Sequence, residues 1–143
     1  MITAQDVIAS WKLVSWRRKV LDTGEEADAF GPRPVGFLNY APGGRMMVLV
    51  VRSDRKLPAE IPPTDAEKVS LFESMLAYAG TYALDNDKVF HNLDLSWNQT
   101  WTGLQQVRFC RRDGTRLVLT TPTLKDPMDG KDSIHILTWE KVS

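Results

Sequence analysis

The chain is poor in the residues that staple, ligate or anchor. Among its 143 residues there is one cysteine, Cys110, which excludes an internal disulfide and a cysteine-based zinc site. Its two histidines, His91 and His135, cannot supply a three-histidine metal centre, so no metal is expected. Charge of one sign is not in excess: 18 basic and 18 acidic residues cancel, which removes any bulk electrostatic case for nucleic acid or an anionic membrane. The longest apolar run, Met46 to Val51, falls far short of the about 20 residues a spanning helix needs. The first ten residues carry Gln5 and Asp6 and no apolar stretch, so no secretory leader and a cytoplasmic location are expected. No glycine-rich loop opens a helix, since Gly43-Gly44 lies between strand-like runs, and Ser15, Ser96 and Ser133 lack a nucleophile-elbow context. Nucleotide use, dinucleotide redox chemistry and triad hydrolysis drop out, and no cofactor is expected.

What the chain does contain is short strands punctuated by turns. Thr3 caps a possible helical turn over residues 3–9. Trp11 to Val20 reads as a strand, with Trp11, Leu13 and Ser15 on one face and Trp16 on the other. Asp22 to Glu26 is a turn, and the segment on to Phe30-Gly-Pro-Arg-Pro34 reads as loop, because two prolines in three residues prevent regular pairing. Val35–Tyr40 and Arg45–Val51 flank Ala41-Pro-Gly-Gly44, the clearest hairpin signal present. Gln105–Arg111 and Arg116–Thr121 flank Asp113-Gly114; a loop in which Arg112 faces Thr115 puts Cys110 opposite Leu117 and Arg108 opposite Leu119. Ser133–Val142 is the last strand, with His135, Leu137, Trp139 and Lys141 on one face.

Thr64-Asp-Ala-Glu67 is a capping-box pattern. Val69, Phe72, Met75, Leu76 and Ala79 come next at helical spacing, predicting a helix over 65–77 that is lid or wall. The chain then enters the stretch Tyr78 to Leu95, two strands around Asp85-Asn86-Asp87-Lys88. A loop of two or four residues pairs Leu84 with Val89, Tyr82 with His91 and Gly80 with Leu93, and turns Tyr78, Tyr82, His91 and Leu95 the same way. A three-residue loop would send His91 to the opposite face. The even loop is expected, because it gathers polar rings among leucines as a small-molecule cavity requires.

In total the sequence predicts an all-β domain with one helix. Eight sequential antiparallel strands favour an up-and-down barrel with an internal cavity over a β-sandwich, and the length suits one domain spanning 1–143.

Several stretches together resemble the bacterial and fungal lipocalin-like domain family. They are Ser10-Trp-Lys-Leu-Val-Ser15, Val35-Gly-Phe-Leu-Asn-Tyr40 with Gly44-Arg-Met46, Leu76-Ala-Tyr-Ala-Gly-Thr-Tyr82, His91, and Trp101-Thr-Gly-Leu-Gln-Gln-Val-Arg108. The resemblance runs over about residues 8–141 and implies a closed antiparallel barrel with a cavity, but little about chemistry. It also implies that Trp11 closes the barrel floor beside a basic residue, for which Lys141 is the expected stand-in. Ala9-Ser10-Trp11 occupies the place of the family's Gly-X-Trp.

On these faces Tyr40, Tyr78, Tyr82, His91, Arg108, Gln106 and His135 point inward, with Trp11, Leu38, Met46, Leu93 and Leu119 among the apolar wall. Each has a bland alternative: a buried tyrosine usually anchors its hydroxyl to a carbonyl, and an isolated interior histidine is usually just satisfied. Arg108 is the sharpest candidate, because an inward guanidinium needs an anionic or carbonyl ligand, water, or a partner such as Asp94. Two functions are expected of this set. The first is binding of a small hydrophobic or aromatic molecule with a polar or anionic group, by a monomer or homodimer. The second is cofactor-independent isomerase, cyclase or decarboxylase chemistry, with His91 as acid or base, Tyr82 as proton donor and Arg108 as anchor for developing charge. A barrel filled by its own side chains, acting as an interaction module, is the third reading.

Overall fold

The computed structural model describes residues 1–127 and 129–142. In chain order the elements are α1 (Ala4–Val7), β1 (Ala9–Val20), β2 (Glu26–Asp28), β3 (Val35–Tyr40), β4 (Arg45–Val51), α2 (Asp65–Glu73), β5 (Met75–Asp85), β6 (Lys88–Ser96), a 3-10 turn (Gln99–Trp101), β7 (Gln105–Asp113), β8 (Arg116–Thr120), β9 (Leu124–Lys125) and β10 (Asp132–Lys141). The strands pair in the order β2-β1-β3-β4-β5-β6-β7-β8-β10-β9, and β1 also pairs with β10. That last pairing closes an antiparallel barrel of eight strands, leaving β2 and β9 as short additions at its rim. Closure removes the unpaired edges that a sandwich of the same strands would keep. None of the described helices is long and apolar enough to cross a membrane.

The central hairpin has the expected register. Asp85 pairs with Lys88 across a two-residue loop, so Leu84 faces Val89, Tyr82 faces His91 and Gly80 faces Leu93. Asn86 takes a positive φ of 56°, a conformation asparagine tolerates in such tight turns. Beyond Gly80 the pairing shifts: Ala79 faces Leu95 and Tyr78 faces Ser96. Asp94 is the extra residue of this bulge, and it turns Leu95 outward, 65% exposed, correcting its inward placement.

A second bulge falls on β1, where Leu13 pairs with Trp139 but Ser15 pairs with Thr138. Val14 is the extra residue, and the parity reversal swings Trp16 inward against Leu137, opposite to the face expected for it. In the β7–β8 hairpin the turn sits at Gly114-Thr115, one residue later than expected, so Cys110 faces Leu119 rather than Leu117. A shift of two along the partner strand preserves every face. Cys110 is a buried core thiol, and burial pushes its pKa up to about 12, which suits packing rather than reactivity.

The helix is shorter than its pattern predicted. α2 ends at Glu73, and Met75 to Ala79 belong to β5, paired with Val51 through Met47 of β4. Met75 to Ala79 is apolar or aromatic at every position, so it suits a strand as well as a helical stripe, and ladder pairing with β4 decides between them. α2 buries no residue, with Val69 54% and Phe72 45% exposed. Helix α2 contributes no residue to the wall of the barrel interior and packs outside it, with Phe72 against Trp97 at 5.8 Å between centroids. The loop expected over 27–34 likewise gives up Ala27 and Asp28 to β2.

One end of the barrel is sealed. The Trp11 ring is fully buried, its indole N–H donates to the Val7 carbonyl of α1 at 2.9 Å, and Val7 is itself fully buried. The cation over the ring is Arg112, its guanidinium carbon 5.4 Å from the centroid, while Lys141 lies opposite Trp11 in register with an exposed side chain. The basic partner thus comes from β7 rather than from the last strand. Arg112 also donates to the carbonyls of Asp6 at 2.7 Å and Gly114 at 2.6 Å, tying α1 to the β7–β8 turn. Arg112→Met is expected to cost about 1–3 kcal/mol in urea unfolding. Lys141→Ala should stay within about 0.5 kcal/mol, and equal losses would refute this assignment of the floor.

Candidate functional site

The opposite half of the barrel is hollow. A cavity of about 460 Å³ is lined by Leu38, Val48, Val50, Leu76, Leu119, Leu137 and Trp139 as apolar wall. Tyr78, His91, Gln106, Arg108, Thr121 and His135 supply its polar groups. The size and the mix of a greasy wall with a few polar tips suit a small organic molecule. Trp16, Phe30, Trp97 and Trp101 border it toward the mouth, with Leu124, Asp126 and Pro127 from the β8–β10 connection. These rim rings form two pairs: Trp16 stacks on Phe30 at 4.8 Å between centroids, and Trp97 meets Trp101 edge-on at 5.0 Å.

The core of the site is a histidine held between two tyrosines. β6 places His91 inward, 2% exposed, next to Tyr40 of β3 and Tyr78 of β5. The Tyr40 hydroxyl lies 2.6 Å from His91 Nε2, and the Tyr78 hydroxyl lies 2.8 Å from Nδ1. Burial holds the His91 pKa down to about 3, and the nearby Arg108 charge pushes it the same way, so the ring is neutral at pH 7. Burial also raises both phenols above their ordinary values, so both stay protonated.

Arg108 reaches into the same space from β7. Its guanidinium donates to the Val107 carbonyl at 2.8 Å and the Gln106 side-chain oxygen at 3.4 Å, and no carboxylate pairs with it among the described residues. Asp94, the protein partner that the sequence offered for it, is engaged outside by Arg45 at 2.6 and 2.9 Å. Arg108 therefore keeps donor capacity and a full positive charge beside an apolar chamber.

His135 belongs to the rim. Its Nδ1 accepts from the Trp16 indole at 2.9 Å, which places the ring proton on Nε2, 3.4 Å from the buried Asp126 carboxylate. Arg18 Nε lies 3.1 Å from the same Asp126 oxygen, and its guanidinium reaches Asp129 at 2.7 Å. Burial lowers the His135 pKa, with Asp126 opposing.

Of the residues singled out in the sequence, Tyr78, His91, Gln106, Arg108, Leu38, Leu119 and His135 meet at the cavity. Trp11, Tyr40, Met46 and Leu93 are buried but packed below it, and are not among its lining residues. Tyr82 is also absent from the lining, with its hydroxyl donating to the Ala41 carbonyl at 2.8 Å, the ordinary anchoring of a tyrosine. Sequence reading missed the rim: Trp16 because of the bulge, Phe30 and Asp126 because they lie in connections. Two tryptophans in the irregular link at 97–101 were the available signal.

An eight-stranded up-and-down barrel, sealed at one end and hollow at the other, is the architecture of lipocalin-type small-ligand proteins. A family model described as a lipocalin-like domain matches residues 8–142, and the chain belongs to that family. A search of curated proteins gives no match.

Proposed function

We propose that the protein binds a small, largely apolar molecule, aromatic or aliphatic, whose anionic or carbonyl group sits at Arg108. The carrying observation is a cation with no carboxylate partner among the described residues, beside a chamber of leucines, valines and tryptophan. Gln106 orients the guanidinium, and the aromatic rim favours flat or ring-bearing ligands. Titration with a panel of aromatic and medium-chain carboxylates, each paired with its uncharged analogue, tests this. Wild type is expected to prefer the acids, and Arg108→Met to lose at least about tenfold in affinity for them. Equal affinity of the variant and wild type for the acids would overturn the role of Arg108.

A second reading, turnover of such a molecule, draws on the Tyr40–His91–Tyr78 chain beside Arg108. There His91 serves as acid or base and Arg108 as anchor, while Tyr82 acts as donor only if its bond to Ala41 is given up. A histidine whose pKa is near 3 is a poor base at neutral pH, which favours binding over turnover. His91→Gln separates the two, because binding survives it and proton transfer at His91 does not.

A further inference from the structure

The direction of the hydrogen bonds around His91 is set by which hydroxyl has somewhere else to go. Tyr40 is 2% exposed, does not line the cavity, and has His91 Nε2 as its only hydrogen-bond partner among the described residues. If Nε2 carried the ring proton, Tyr40 would have to accept it, and its own buried O–H would be left without a partner among the described residues. Tyr40 therefore donates to Nε2. The ring is neutral, so its one proton is on Nδ1 and is donated to the Tyr78 oxygen 2.8 Å away. With its oxygen accepting from His91, Tyr78 has a hydroxyl hydrogen left over and no second protein partner among the described residues. The Arg108 charge acts on both phenols, but only Tyr78 lines the cavity with it.

The geometry points to Tyr78 as the hydrogen-bond donor that the cavity presents to its ligand, with Tyr40 and His91 behind it fixing the direction of donation. This rests on the cavity-binding reading above and sharpens it. A donor beside an arginine selects an oxygen that only accepts, and the class that fits both is the carboxylate of an apolar, preferably aromatic acid. Successive donation along Tyr40, His91 and Tyr78 also polarises the terminal O–H, so a residue that never touches the ligand strengthens its binding. Tyr40 and His91 are positioning residues; Tyr78 is the contact.

Two measurements test this. The first is the tautomer of His91 in the wild-type protein, read from its ring nitrogen shifts by long-range proton–nitrogen NMR. A protonated Nδ1 and a bare Nε2 are expected, and the reverse overturns the assignment without any variant or ligand. The second compares the probes 2-naphthoate and 2-methylnaphthalene by fluorescence titration. Tyr78→Phe is expected to lower naphthoate affinity by about tenfold and to leave methylnaphthalene within about twofold. Tyr40→Phe should lower naphthoate affinity by about threefold or more, again sparing methylnaphthalene, because the tautomer preference is lost while the chamber wall is untouched. A purely structural role for Tyr40 would weaken both probes alike and count against the chain. If methylnaphthalene binds but naphthoate binds no better, and Tyr78→Phe changes neither, the cavity reading stands and this inference falls. If neither probe binds wild type, the cavity reading falls first and takes the ligand class with it.

Discussion

Gly80→Ala is expected to unfold the domain or to remove at least about 3 kcal/mol of its stability. A Cβ at this position would lie 1.8 Å from the Asn92 carbonyl oxygen, 2.7 Å from its carbon and 3.0 Å from Leu93 Cα. All three atoms are backbone of the adjacent strand, so no side-chain rotation relieves the clash. The strand pair must part just where it bulges and where Tyr78 and His91 are aimed into the barrel. Gly43 supplies the control, because a Cβ there meets nothing within 4 Å and its backbone needs no positive φ. Gly43→Ala should fall within about 0.5 kcal/mol of wild type. Equilibrium urea unfolding of both variants decides the matter; a mild Gly80→Ala phenotype would mean that β5 and β6 are not held as close as described.

The second large effect is on acid stability. His91 titrates near 6.5 in an unfolded chain and near 3 when folded, because burial and the Arg108 charge disfavour the imidazolium. Between those values the unfolded chain binds more protons, so the contribution of His91 is fully present above pH 6.5 and is lost as pH falls toward 3. The slope approaches about 1.4 kcal/mol per pH unit, on the order of 5 kcal/mol across the window. His135, also lowered by burial, adds in the same direction, so wild type alone cannot isolate His91. His91→Gln should be less stable at pH 7 yet lose less on acidification to pH 4. Parallel stability curves for the two proteins would contradict a buried neutral His91.

Elements and hairpins were largely legible because turn chemistry is local. Asp85 to Lys88 and Ala41 to Gly44 state where the chain reverses, and once the loop is even, alternation alone fixes the face of His91. Alternation fails wherever a residue is inserted without a local mark. Val14 and Asp94 are ordinary strand residues, and each reverses the parity of the strand beyond it, so simple alternation puts Trp16 and Leu95 on the wrong faces. The end of α2 was illegible for a different reason. Met75, Leu76 and Ala79 continue a helical stripe but also fit a strand that is apolar on both faces, and the choice lies in β4, a distant part of the chain. The cation on Trp11 has the same origin: Arg112 and Trp11 are far apart in sequence and meet only when the barrel closes. Half of the candidate site was therefore readable as inward-facing residue types, while its depth order, with Tyr40 beneath His91 and Tyr78 at the cavity, required the assembled barrel.

The sealed floor at Trp11 has a kinetic consequence. With Val7 and Arg112 closing that end, a ligand held as proposed exchanges at the rim, which the Trp16–Phe30 and Trp97–Trp101 pairs border among the described residues. A newcomer cannot push in from behind, so replacement has to be sequential: the resident leaves, and only then does the next molecule enter. Raising the concentration of a competitor will then refill vacated barrels faster without hastening departure, and residence time becomes a property of the rim.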